Sequence, residues 1–70
     1  MDITVRQVLN VTGGNTKVII ESHEYENKIY WNGSVDDWFD DKSKVKQELN
    51  DKCIKHLTVI NEEDNLIIMV

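Results

Sequence analysis

The sequence predicts an α+β fold: a four-stranded antiparallel sheet with helices packed on one face, in the order αββαββ. Three observations lead there. Val and Ile supply 16 of the 28 apolar residues, Leu only 4 and Ala none, and β-branched side chains favour pleated strands. Each half of the chain carries two apolar runs separated by a polar loop of about four or five residues, which is a hairpin pattern. Each pair of runs is preceded by a helical signal with an N-terminal cap. Hairpins with segregated helices define the α+β class.

The first helix is expected from Thr4 onward. Thr4 and Gln7 form a capping box, Val5, Val8 and Leu9 share a face, and Gly13-Gly14 can close the helix in a left-handed cap. A strand competes for this segment because Ile3, Val5, Val8 and Val11 are β-branched. Residues 16–22 read as a strand built on Val18-Ile19-Ile20. Residues 23–27 read as a polar turn, and 28–31 as a second strand stopped by Asn32-Gly33.

Ser34 and Asp37 form another capping box. A helix is expected from about 35 to 50, its periodicity continuing through Val45 and Leu49; the alternative is a break near 41–43, with Ser43 starting a second helix. Residues 53–60 read as a strand, 61–65 as a turn and 66–70 as a final strand paired into the sheet. The inward set expected from alternation and three/four spacing is Val5, Val8, Leu9, Val18, Ile20, Ile29, Trp31, Val35, Trp38, Phe39, Leu49, Leu57, Val59, Leu66, Ile68 and Val70.

Seventy residues make one domain, 1–70, with a thin core and little room for an enclosed pocket. A net charge of −5 with a single Arg disfavours direct binding to nucleic acid or to an acidic membrane surface. One cysteine, Cys53, closes no intramolecular disulfide. That and the lack of a leader pattern or a long apolar run point to a reducing, cytoplasmic setting.

Chemistry-bearing residues are sparse. Cys53, His56 and His23 are too few and too scattered for a zinc site, so no metal, no cofactor and no catalytic residue is expected, and the chain does not read as an enzyme. Gly13-Gly14-Asn15-Thr16 lacks the Lys-Ser/Thr element of a phosphate loop. The unusual stretch is Asp36-Asp37-Trp38-Phe39-Asp40-Asp41. Four carboxylates within six residues exceed what capping requires, and like charges four apart repel. They are either a solvated helix start, tempered by Lys42, Lys44 and Lys46, or an exposed patch for a basic protein partner, with Glu24 and Glu26 as contributors. Tyr30, on the strand face opposite Trp31, is expected to be exposed beside them.

Helix, hairpin ending in Trp31-Asn32-Gly33, acidic segment 34–41, the Cys53-Ile54-Lys55-His56-Leu57-Thr58-Val59 strand and the terminal Leu66-Ile67-Ile68-Met69-Val70 together resemble small uncharacterised phage and prophage proteins of low-GC Gram-positive bacteria. The resemblance implies a small accessory or host-modulating binder, including inhibitors of host nucleic-acid-binding proteins, and would place its cytoplasmic setting in a bacterial host cell. The expected function is that of a non-enzymatic acidic interaction protein. The alternative is a structural protein that self-associates into a homo-oligomer through a sheet edge.

Overall fold

A computed structural model describes residues 3–60 and 65–70. Its elements are α1 (Val5–Asn10), β1 (Lys17–Glu21), β2 (Ile29–Ser34), α2 (Val35–Asp40), α3 (Lys44–Asn50), β3 (His56–Ile60) and β4 (Asn65–Met69). The fold is α+β, with a four-stranded sheet and three helices. Of the turn expected at 61–65, residues 61–64 lie outside the described residues. Among the described residues, no helix is long and apolar enough to cross a membrane.

The helix starts follow from side chains that satisfy free N–H groups. The Thr4 hydroxyl accepts from Gln7 N–H at 3.3 Å, and the Gln7 amide oxygen accepts from Thr4 N–H at 2.9 Å. The same box joins Ser34 and Asp37. The single helix expected over 35–50 is instead two, α2 and α3, so the order is αββααββ rather than αββαββ: the Ser43 hydroxyl accepts from Lys46 N–H and starts α3, the alternative that the sequence left open. The glycine cap on α1 does not form. The helix ends at Asn10, the Thr12 hydroxyl donates to Val8 C=O at 2.7 Å, and neither Gly13 nor Gly14 has a positive φ.

The sheet is mixed rather than antiparallel throughout, in the order β2-β1-β4-β3. β1–β2 and β3–β4 are antiparallel hairpins, whereas the central pair β1–β4 is parallel, with Val18 opposite Leu66 and Ile20 opposite Ile68. Val18-Ile19-Ile20 and Leu66-Ile67-Ile68-Met69 are continuous apolar runs that gain from a central position. The direction follows from the connection: α2 and α3 cross over between β2 and β3, so β3 re-enters the sheet in the direction of β2, and with each hairpin antiparallel β1 and β4 then point the same way.

β2 differs from expectation in three ways. It runs on through Asn32-Gly33 to Ser34. Its pairing with β1 steps from Ile20↔Trp31 to Glu21↔Ile29, so Tyr30 is the extra residue of a bulge. The bulge resets the alternation, so Tyr30 as well as Trp31 is half-buried against the core, while Ile29 faces out at 50% exposure. β3 is shorter than expected and begins at His56. Cys53 pairs instead with Thr4 in an isolated bridge, and this swings Ile54 into the core.

The core is Val5, Leu9, Val18, Ile20, Val35, Trp38, Leu49, Ile54, Leu66 and Ile68, all on the sheet face that the helices cover. Val8, Trp31, Leu57 and Val70 pack partly against it. Two other expected members are exposed: Phe39 at 48% and Val59 at 59%. α2 is six residues long and can seat only the stripe Val35–Trp38, which leaves Phe39 on its flank. Val59 lies on outer strand β3, towards the rim of the helix layer.

Candidate functional site

α2 carries the acidic segment and is held at its start by the backbone before β1. Val35 N–H donates to Thr16 C=O at 3.0 Å, and Asp36 N–H to Gly14 C=O at 3.1 Å. Val35 and Trp38 then anchor the helix through the core. Around the remaining circumference the order is Phe39, Asp36, Asp40, Asp37, as a 3.6-residue repeat dictates.

The structure divides the four aspartates by task. Asp37 works in the capping box: its carboxylate accepts from Ser34 N–H, and its N–H donates to the Ser34 hydroxyl at 3.1 Å. Asp41 is half-buried beneath the helix end. It accepts from the Trp31 indole N–H at 2.8 Å and from Ser43 N–H at 2.7 Å. The bond from Trp31, the bond from Ser43 and the Lys46 charge hold the Asp41 carboxyl below the usual carboxylate range, outweighing the small opposing effect of burial. Trp31 in turn meets Trp38 edge-to-face, with ring centroids 5.0 Å apart at 88°. Asp41 therefore fixes Trp31 over the core.

Asp36 and Asp40 remain exposed, one helical turn apart, with the half-exposed Phe39 ring beside them. Among the described residues, the ion pair within 4 Å is Arg6–Asp51 at 3.6 Å. Lys42, Lys44 and Lys46 thus do not neutralise Asp36, Asp37 or Asp40. Lys46 sits instead 5.8 Å from the Trp38 ring centre. Phe39 is the member of this surface that periodicity misassigned. The signal that finds it is helix length, because one and a half turns expose whatever lies beside a two-residue buried stripe.

Glu24 and Glu26 do not join this patch. They lie on the loop after β1, whereas the start of α2 is bonded to residues before β1, so a five-residue strand of roughly 16 Å separates them. In that loop the Ser22 hydroxyl accepts from Glu24 N–H and Tyr25 N–H, and Lys28 Nζ stands 5.6 Å from the Tyr25 ring and 5.4 Å from the Tyr30 ring. Tyr30 belongs to this end of the molecule too. It lines a cleft of about 520 Å³ with Glu24, His23, Cys53, Glu48 and Lys55. Although two of the three soft ligands share that cleft, no group of three His, Cys, Asp or Glu among the described residues converges on a metal position.

One expectation follows for Asp41. Its depressed pKa means that the folded state gains stability above about pH 4, where the unfolded carboxyl is ionised, and loses it as pH falls further. Asp41→Ala should lower the melting temperature at pH 7. The gap from wild type should narrow steadily below about pH 4, as followed by circular dichroism. A gap that stayed constant down to about pH 2.5 would remove Asp41 from its role as an ionised acceptor.

Fold and surface together define a class, a small α+β domain with an acidic and aromatic helix face. Comparison of the chain with protein-family models, with curated proteins and with solved structures finds no match.

Proposed function

We propose that this is a non-catalytic protein-binding domain whose contact surface is the outer face of α2. Asp36, Asp40 and Phe39 are its centre, and Asp37 lies at its border. The observation that carries the reading is the lack of compensation: three lysines follow the acidic segment, yet none pairs with these carboxylates. The partner is a basic protein with an apolar spot to receive Phe39. Aromatic anchors bounded by charge are the usual energetic centre of such contacts. In its sharper form the partner is a host nucleic-acid-binding protein whose phosphate-binding surface accepts these carboxylates. What suggests that form is the accessory, host-modulating role that the pattern's resemblance to small uncharacterised phage and prophage proteins would imply, and Glu24, Glu26 and Tyr30 are then a separate surface at the far end of β1.

The test pair is Asp36→Asn/Asp40→Asn, because Asp37 and Asp41 have structural tasks. Immobilised wild-type protein should retain a basic partner from bacterial lysate and release it as salt rises. The double variant should melt at or slightly above the wild-type temperature. It should bind the purified partner about threefold to tenfold more weakly and with a flatter salt dependence. Equal affinity and equal salt dependence would reduce the patch to a solvated helix start.

A further inference from the structure

We infer that two copies of this chain associate through the sheet face that the helices leave open, about a two-fold axis running across the strands. The inference does not rest on the acidic helix face, although Asp37 at its border lines a hollow with Lys17, Ile19 and Asn32. On the open face three rows cross the sheet: Ser34–Lys17–Asn65–Ile60, Asn32–Ile19–Ile67–Thr58 and Ile29–Glu21–Met69–His56. Ile19, Ile67, Met69 and Ile60 are partly exposed, and Ile29 is 50% exposed. An apolar centre is therefore turned to solvent on a chain whose helices all lie opposite.

Charge selects the second copy and its orientation. The fixed charges in these rows are Lys17 and Glu21, which lie at opposite ends of β1 with Ile19 between them. Neither has an opposite charge within 4 Å among the described residues. Two in-plane axes can stack such a face on itself. An axis along the strands sets Lys17 over Asn65 and Glu21 over Met69, with no charge matched. An axis along the middle row stacks Ile19 on Ile19 and Ile67 on Ile67, and it places each Lys17 over the other copy's Glu21. The face is thus self-complementary in one of the two arrangements, as an isologous contact requires. Four strands about 4.8 Å apart and five residues long give a patch of roughly 19 by 16 Å, or about 600 Å² over both copies, below the size of stable specific interfaces and in the range of weak, transient contacts. The dimer is accordingly weak, in the micromolar to millimolar range.

Sedimentation and light scattering across that range test it on the wild type and on Lys17→Glu, Glu21→Lys and the double reversal. The wild type should move towards twice the 8.2 kDa chain mass as concentration rises. Each single reversal sets like charges together twice and should weaken association by about tenfold or more. The two shift the net charge of −5 in opposite directions, to −7 and −3, so a general charge effect would separate them. The double reversal should return to within about threefold of wild type. Circular dichroism checks that each variant folds. Thr58→Arg, at an exposed site on the axis row, gives a second route to the monomer should a β1 variant unfold. A wild type that stays monomeric to about 1 mM overturns the inference. So does a dimer indifferent to the single reversals, or a double reversal no better than the singles.

Discussion

Trp38→Ala should unfold the protein or lower its melting temperature by at least about 12 °C. The side chain is wholly buried between the sheet and the helix layer, and it touches Trp31 edge-to-face. Truncating a buried tryptophan costs about 3–5 kcal/mol, through lost burial and the cavity left behind. A 70-residue domain has roughly 3.5–10 kcal/mol in total, and each kcal/mol is about 4–8 °C at this size. The loss also reaches the surface, because Trp38 is one of two residues that seat α2. Without it, Asp36, Phe39 and Asp40 lose their fixed spacing. Trp38→Phe is the informative control. The Trp38 indole N–H is buried without a partner, and an unmet buried donor costs about 1–3 kcal/mol. Phenylalanine removes that donor while keeping most of the ring, so it should be far milder than alanine. Urea titrations giving equal midpoints for wild type and Trp38→Ala would contradict the packing described above.

What was legible in the chain was local. Both capping boxes and the two hairpins are written in neighbouring residues and form as expected, and the start at Ser43, open as an alternative to one long helix, is equally local. The failures involve distance. Strand direction at the centre of the sheet depends on which hairpin edges meet, and alternation within a strand carries no information on that. The continuous runs at 18–20 and 66–69 take the central places, but neither that order nor its parallel pairing was read from the sequence. The Tyr30 bulge has no glycine or turn residue to announce it, and one extra residue there turned Tyr30 partly against the core and left Ile29 facing out. Cys53 pairs with Thr4 across nearly fifty positions, and that bridge brings in Ile54, which the expected core omitted.

The candidate site shows the same division. An acidic helix start was plain from composition. Its partition was not, since Asp41 is set apart from Asp40 by a bond to an indole ten residues earlier. Counting carboxylates treated the four as alike, whereas only those turned away from both the cap and Trp31 are free to meet a partner. The correction matters for mutagenesis. A variant at Asp37 or Asp41 confounds folding with binding, while Asp36 and Asp40 separate them.

Gly33→Ala should be the most damaging substitution outside the buried side chains, at about 2–6 kcal/mol. Two costs coincide there. Gly33 has φ of 151°, a region that L-residues rarely adopt, and holding alanine in it costs of order 1–3 kcal/mol. An added Cβ would also lie 2.9 Å from Cη2 and 3.3 Å from Cζ2 of Trp31. That ring has little freedom to retreat. Its N–H is bonded to Asp41, and its edge-to-face contact with Trp38 closes the other side. Overpacking against a fixed ring adds about 1–3 kcal/mol. Gly14→Ala is the contrast. Its Cβ would meet the Asp36 carboxylate, the movable end of an exposed side chain, and Gly14 has no positive φ, so that variant should melt close to wild type. A mutant cycle with Trp31→Leu separates the two costs at Gly33. In the Trp31→Leu background the clash disappears and only the backbone strain remains, so Gly33→Ala should be milder there by about 1 kcal/mol or more. An unchanged penalty in that background would assign the whole effect to φ and leave Trp31 without a part in shaping the strand.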